Sequence, residues 1–126
     1  MKKNIFVVLP LLIFILIFSS CFNHHNLSVY ISDDKNDYEM DASFQKRQTH
    51  AVQKYLNANL LAFENEWHKY DLINKEVTLN DNTTFFIDAA PGALRIKIDK
   101  EENSEQAYEK IRQVCEEIKD LLADNN

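Results

Sequence analysis

Ile5 to Phe18 is an uncharged run of 14 residues, broken only by Pro10 and preceded by Lys2 and Lys3. As a helix it reaches roughly 21 Å at 1.5 Å per residue, short of the ~30 Å hydrocarbon core of a bilayer. A positive start, a short apolar core and the small residues Ser19 and Ser20 make the pattern of an export signal. That assignment removes residues 1–20 from the folding problem. They hold 14 apolar residues and no acid, so the remaining chain is more polar than the overall 45% suggests. Setting Lys2 and Lys3 aside leaves 12 of the 14 basic side chains against 20 acidic ones, a net charge of −8. A free nucleic-acid binder needs a basic surface and is excluded. One Gly and two Pro exclude Gly-rich phosphate loops and Pro-rich linkers.

The run ends in Phe18-Ser19-Ser20-Cys21, which resembles the lipobox of bacterial lipoproteins, where a bulky apolar residue and two small ones precede a lipidated cysteine. The resemblance covers residues 1–21 only, and no family is recognised for the exported part. It implies cleavage before Cys21, a diacylglycerol thioether on its sulfur and acylation of the new amino group. Several acyl chains anchor stably where one does not, since each buried methylene contributes ~0.8 kcal/mol. Phe18 stands where Leu is usual in the motif. A span retained through Phe22, and cleavage followed by secretion, are the alternatives. In Gram-negative members of this class an Asp after the cysteine retains the protein in the inner membrane. Phe22 at that position implies the periplasmic face of the outer membrane. With Cys21 lipidated, Cys115 has no intramolecular partner. It lies in an apolar stripe beside Glu116 and Glu117, the setting of a buried thiol and not of a nucleophile.

Residues 21–41 read as the lipidated cysteine and an acidic tether, in which Asp33, Asp34, Asp37, Glu39 and Asp41 outweigh Lys35. Val29-Tyr30-Ile31 offers a short extra strand. These acids lack the Gly and terminal Glu of a calcium loop, and His24-His25 lack a third ligand, so no metal is expected. From Ala42 to Tyr70 there is no Gly or Pro, and Val52, Leu56, Phe63 and Tyr70 share one helical face. This predicts a long helix capped by Asp41 or Ser43, with Asn59 and Glu66 on or beside that face and Leu61 exposed opposite. Val77–Leu79, Thr83–Asp88 and Leu94–Ile98 predict three strands, with turns at Asn80-Asp81-Asn82 and Pro91-Gly92. Asn103 and Gln106 predict a capping box ahead of a helix whose apolar face is Tyr108, Ile111, Cys115, Ile118 and Leu122. The expected domain, residues 42–126, is α+β: a long N-terminal helix, a three-stranded antiparallel meander and a C-terminal amphipathic helix in two layers.

Chemistry-bearing motifs are missing. There is no metal-binding histidine pair at helical spacing, no nucleophile elbow and no dinucleotide fingerprint. The expectation is therefore a protein that is not an enzyme, with no catalytic residues, no metal and no cofactor. Interaction candidates are the polar strip Asn59 and Glu66 and the local basic face Arg95 and Lys97. An acidic surface steers and binds a basic partner. The sequence thus points to a membrane-anchored protein-interaction module of the envelope, in its sharper form an immunity or inhibitor protein against a basic periplasmic enzyme or toxin. A structural or assembly accessory of an envelope complex is the alternative, and a small ligand binder or hydrolase the third reading.

Overall fold

A computed structural model describes residues 27–61 and 72–124. The elements run β1 (Ser28–Asp33), β2 (Asp37–Ser43), a 3-10 turn (Lys46–Gln48), α1 (Thr49–Asn59), β3 (Ile73–Thr78), β4 (Thr84–Ala90), β5 (Ala93–Asp99) and α2 (Glu105–Asp124). The strands form one five-stranded sheet in the order β1-β2-β5-β4-β3. Every neighbouring pair is antiparallel.

Two expectations are overturned together. The acidic stretch assigned to a tether supplies two strands, and the long helix from Ala42 to Tyr70 does not form. The reason lies in a period of two. In β2, Tyr38, Met40 and Ala42 are buried while Asp37, Glu39 and Asp41 alternate with them on the other face. Read by acid density the segment looks like a solvated tether; read by alternation it is a half-buried strand. The strand uses up Ala42 and Ser43, so Asp41 and Ser43 cap nothing. Phe44 enters the core, and the helix begins only at Thr49. At its approach the Gln45 N–H donates to Gln48 Oε1 at 3.3 Å, and the Gln48 N–H to the Gln45 carbonyl at 2.9 Å. The helix stops after Asn59, where the N–H groups of Leu60 and Leu61 both donate to the Leu56 carbonyl, at 2.9 and 2.8 Å. That stop turns Leu61 inward, to 2% exposure, where a continuing helix would have exposed it. Phe63, Glu66, Trp67 and Tyr70 lie outside the described residues.

The three-stranded meander is likewise replaced by the wider sheet, in which β3, β4 and β5 are joined by β2 and β1 along the free edge of β5. Asn82 takes a left-handed φ of 68° in the β3–β4 turn, and Gly92 a φ of 79° in the β4–β5 turn. Asn103 does not cap α2. Its Oδ1 accepts the Thr84 N–H at 2.8 Å, and its Nδ2 donates to the carbonyls of Thr84 at 2.9 Å and Asp99 at 2.8 Å. Ser104 caps instead, its hydroxyl accepting the Ala107 N–H at 3.1 Å. A hydroxyl one residue later competes for the same role, and Asn103 is drawn to strand ends that sequence order does not reveal.

One face of the sheet is apolar: Tyr38, Met40, Ala42, Val77, Phe85, Ile87, Ala89, Leu94, Ile96 and Ile98 are all buried. Val52 and Leu56 of α1, and Ile111, Val114, Cys115, Ile118 and Leu122 of α2, complete that core. The helices pack against each other, and α2 lies over β2 and β5. The opposite face of the sheet carries no helix among the described residues. No described helix is long and apolar enough to cross a membrane.

Candidate functional site

Because antiparallel neighbours align residue against residue, the register of the sheet fixes which side chains meet on the face that no described helix covers. One row reads Tyr30, Asp41, Arg95, Asp88, Asn74 across β1, β2, β5, β4 and β3. The next reads Ser32, Glu39, Lys97, Phe86, Glu76. Asp37 and Asp99 face each other in a third. Six carboxylates, those of Asp37, Glu39, Asp41, Glu76, Asp88 and Asp99, thus share the face with two cations, Arg95 and Lys97.

Both cations are already engaged. Arg95 Nη2 reaches Asp41 Oδ2 at 2.9 Å, and its Nε lies 3.3 Å from Glu39 Oε1. The Asp41 hydrogen bond, and then the charges of Asp41 and Glu39, raise the Arg95 pKa. Lys97 Nζ is 3.7 Å from Asp37 Oδ2. Such exposed pairs contribute little stability each, in the range of ~0–1 kcal/mol. Their larger effect is on the field: the two positive charges are locally neutralised, and the remainder of the face is negative. Among the described residues Glu76 and Asp88 form no ion pair of their own. Two aromatic rings sit within this lattice: Tyr30, 65% exposed at the β1 edge, and the half-buried Phe86 between Lys97 and Glu76.

The residues singled out from sequence are scattered. Arg95 and Lys97 lie on the open face, but in an acidic lattice that cancels the local basic face expected of them. Asn59 ends α1 on the helical side of the molecule, where its Nδ2 donates to the Tyr55 carbonyl at 2.8 Å. Asn59 is therefore not assembled with the hairpin cations, and Glu66, like Cys21, falls outside the described residues. Asp37, Glu39, Asp41, Glu76, Asp88, Asp99, Tyr30 and Phe86 are the part of the face that chain order does not bring together. The strict alternation from Asp37 to Ser43 was the available signal.

A second cluster closes one end of the sheet. Asp33 accepts from Lys100 Nζ and from the Tyr108 hydroxyl, both at 2.6 Å, and Lys100 also donates to the Asp34 carbonyl at 2.6 Å. The Lys100 ammonium stands 4.4 Å over the Tyr108 ring, and Tyr108 meets Tyr38 edge-on at 5.9 Å. Hydrogen bonds from Lys100 and Tyr108 lower the Asp33 pKa, and the same bond pushes the Tyr108 hydroxyl up to about 12. These contacts pin the β1–β2 turn to α2 and satisfy one another. Behind them burial pushes the Cys115 thiol up to about 12. It is a protonated core group, unsuited to nucleophilic attack. Among the described residues no three His, Cys, Asp or Glu side chains gather as metal ligands.

No protein-family model, curated protein or solved structure matches the chain.

Proposed function

We propose that this protein is a membrane-anchored interaction module of the bacterial envelope, held through lipidated Cys21, whose open sheet face receives a basic protein. The observation that carries this reading is the sheet face that no described helix covers, with six carboxylates around two engaged cations and with Tyr30 and Phe86 as aromatic contact points. Exposed aromatics supply contact area while the surrounding charge sets attraction and register. A basic cell-wall hydrolase or a delivered toxin has the complementary surface, so an inhibitor or immunity role is the sharper form of the proposal. The chemistry proposed is one of binding, through charge and aromatic contact across the face.

Capture from an envelope extract by the full chain in detergent, at low and at high salt, tests it. A basic protein retained at low salt, released at high salt, and no longer retained by the Glu76→Gln/Asp88→Asn variant is the expected result. Retention of the same proteins by the variant and by the parent would sink the open-face reading. Incorporation of labelled palmitate that survives Cys21→Ser would sink the anchor.

A further inference from the structure

Between Asp41 and Glu64 the chain has no Asp or Glu, yet Lys46, Arg47 and Lys54 all fall in that interval. The 3-10 turn and α1 turn Gln48, Thr49, Val52, Gln53 and Leu56 inward. Lys46, Arg47, His50 and Lys54 are left exposed. At 3.6 residues per turn Arg47, His50 and Lys54 fall one above another, so the outward strip of this segment is basic. Arg95, Lys97, Lys100, Lys110, Arg112 and Lys119 each pair with a carboxylate. Lys46, Arg47 and Lys54 have no such partner among the described residues. On the neighbouring helix Glu109 is engaged by Arg112, Glu116 by Lys119, and Glu117 by the Tyr55 hydroxyl, while the exposed Glu105, Asp120 and Asp124 have no ion pair among the described residues. The basic surface is thus the strip of the 3-10 turn and α1 and not the whole helical side. Since α1 packs on the apolar side of the sheet, the strip lies on the side of the molecule away from the acidic open face.

The place where the chain enters the domain gives the strip its occupant. Ser28, the first residue of β1, pairs with Ser43, three positions before Lys46. Cys21 precedes Ser28 by seven residues, a reach of at most about 25 Å even when fully extended. The connector is thus far shorter than a tether running to Asp41, and the apolar leader holds this end of the domain close to a bilayer, whether through a lipidated Cys21 or as a retained segment. We infer that Lys46, Arg47 and Lys54 seat the α1 edge of the domain on anionic lipid headgroups of the membrane that holds its N terminus, so that the acidic sheet face is turned outward. The inference rests on the membrane-anchored reading above. Basic side chains near an anionic surface each contribute about fivefold to its occupancy, and within a Debye length the same surface repels the carboxylate face.

The test uses the full chain with its anchor, reconstituted on phosphatidylcholine vesicles with and without phosphatidylglycerol, and reads the acetylation rate of individual lysines by mass spectrometry. Lys46 and Lys54 are expected to react about fivefold more slowly on the anionic vesicles, with Lys97 on the open face unchanged and the difference abolished by high salt. Equal rates for Lys46 and Lys54 on the two vesicle types, with the chain still vesicle-bound after a salt wash, overturn this inference and leave the anchor standing. Release of the chain by that wash overturns the anchor and this inference together. Protection that arises only when an envelope protein fraction is added assigns the strip to an acidic protein and overturns the lipid as its occupant.

Discussion

Gly92 joins three parts of the fold through its backbone alone. Its N–H donates to Thr49 Oγ1 at 2.9 Å, its carbonyl accepts the Phe44 N–H at 2.9 Å, and its φ of 79° belongs to the left-handed region. A Cβ there would stand 2.9 Å from the Phe44 carbonyl oxygen. Gly92→Ala is therefore expected to lower stability by about 1–3 kcal/mol, read as a shift of the urea midpoint at constant slope. An unchanged midpoint would mean that the turn relaxes away from β2. Tyr38 poses the opposite case. Its hydroxyl is buried with no hydrogen-bond partner among the described residues, and burial is the first cause that raises its pKa. An unsatisfied buried hydroxyl is a standing penalty, so Tyr38→Phe, which keeps the ring against Tyr108, is expected to raise stability by about 1 kcal/mol. A loss of that size instead would show the Cys115 thiol to be a working partner.

At the scale of elements, side chains finish what the strands begin. Register places Asp99 opposite Thr84, beyond the last β4–β5 pair, and there the Asn103 carboxamide takes both the N–H and the carbonyl of Thr84. Asn103→Ala removes three hydrogen bonds at a partly buried strand end. The expected loss is about 2 kcal/mol, accompanied by faster amide exchange at Thr84. In the neighbouring β3–β4 turn, hydrogen bonds from the Thr83 hydroxyl, Lys110 and the Thr83 N–H hold Asp81 at about 2, below its ordinary 3.8. A carboxylate depressed in the folded state supports the fold fully above its unfolded pKa, and that support is lost as pH falls from about 4 toward 2. Asp81→Asn should thus lower stability at neutral pH and decline less steeply over that window than the parent; parallel decline in urea titrations would refute the assignment. These elements also show where sequence reading succeeds. The alternation Leu94, Ile96, Ile98, the turn residues Asn82 and Gly92 and the apolar face of α2 are local signals and are readable as such. The boundary between β2 and α1 is not, because helix formers such as Ala42 and Gln45 are held extended or in a turn by tertiary pairing with β5 and the burial of Phe44. Asn103 is unreadable for the same reason, its partner Thr84 lying 19 positions away at the start of β4.

Seen as a whole, the molecule has two chemically different sides, and the open one was hidden in plain composition. An excess of acids along the chain says nothing of direction until five strands fix which of them face the same way. Pairing across β2 and β5 then explains why Arg95 and Lys97, basic when read along one strand, belong to an acidic surface. That lattice is not needed to hold the fold: the core lies wholly on the other face, and Glu76 and Asp88 sit on exposed or half-exposed positions without ion pairs among the described residues. Substitutions at such positions usually change stability by less than about 0.5 kcal/mol. Where like charges crowd, removing them relieves repulsion, so Glu76→Gln/Asp88→Asn is expected to leave the urea midpoint unchanged or slightly higher at low salt, with the difference vanishing as salt is raised. Association with a basic partner should respond in the other sense, through a slower and less salt-dependent on-rate. Stability retained with binding lost identifies the face as a surface kept for recognition. A variant that unfolds, or one that binds as fast as the parent at low salt, removes the argument that these carboxylates serve a partner.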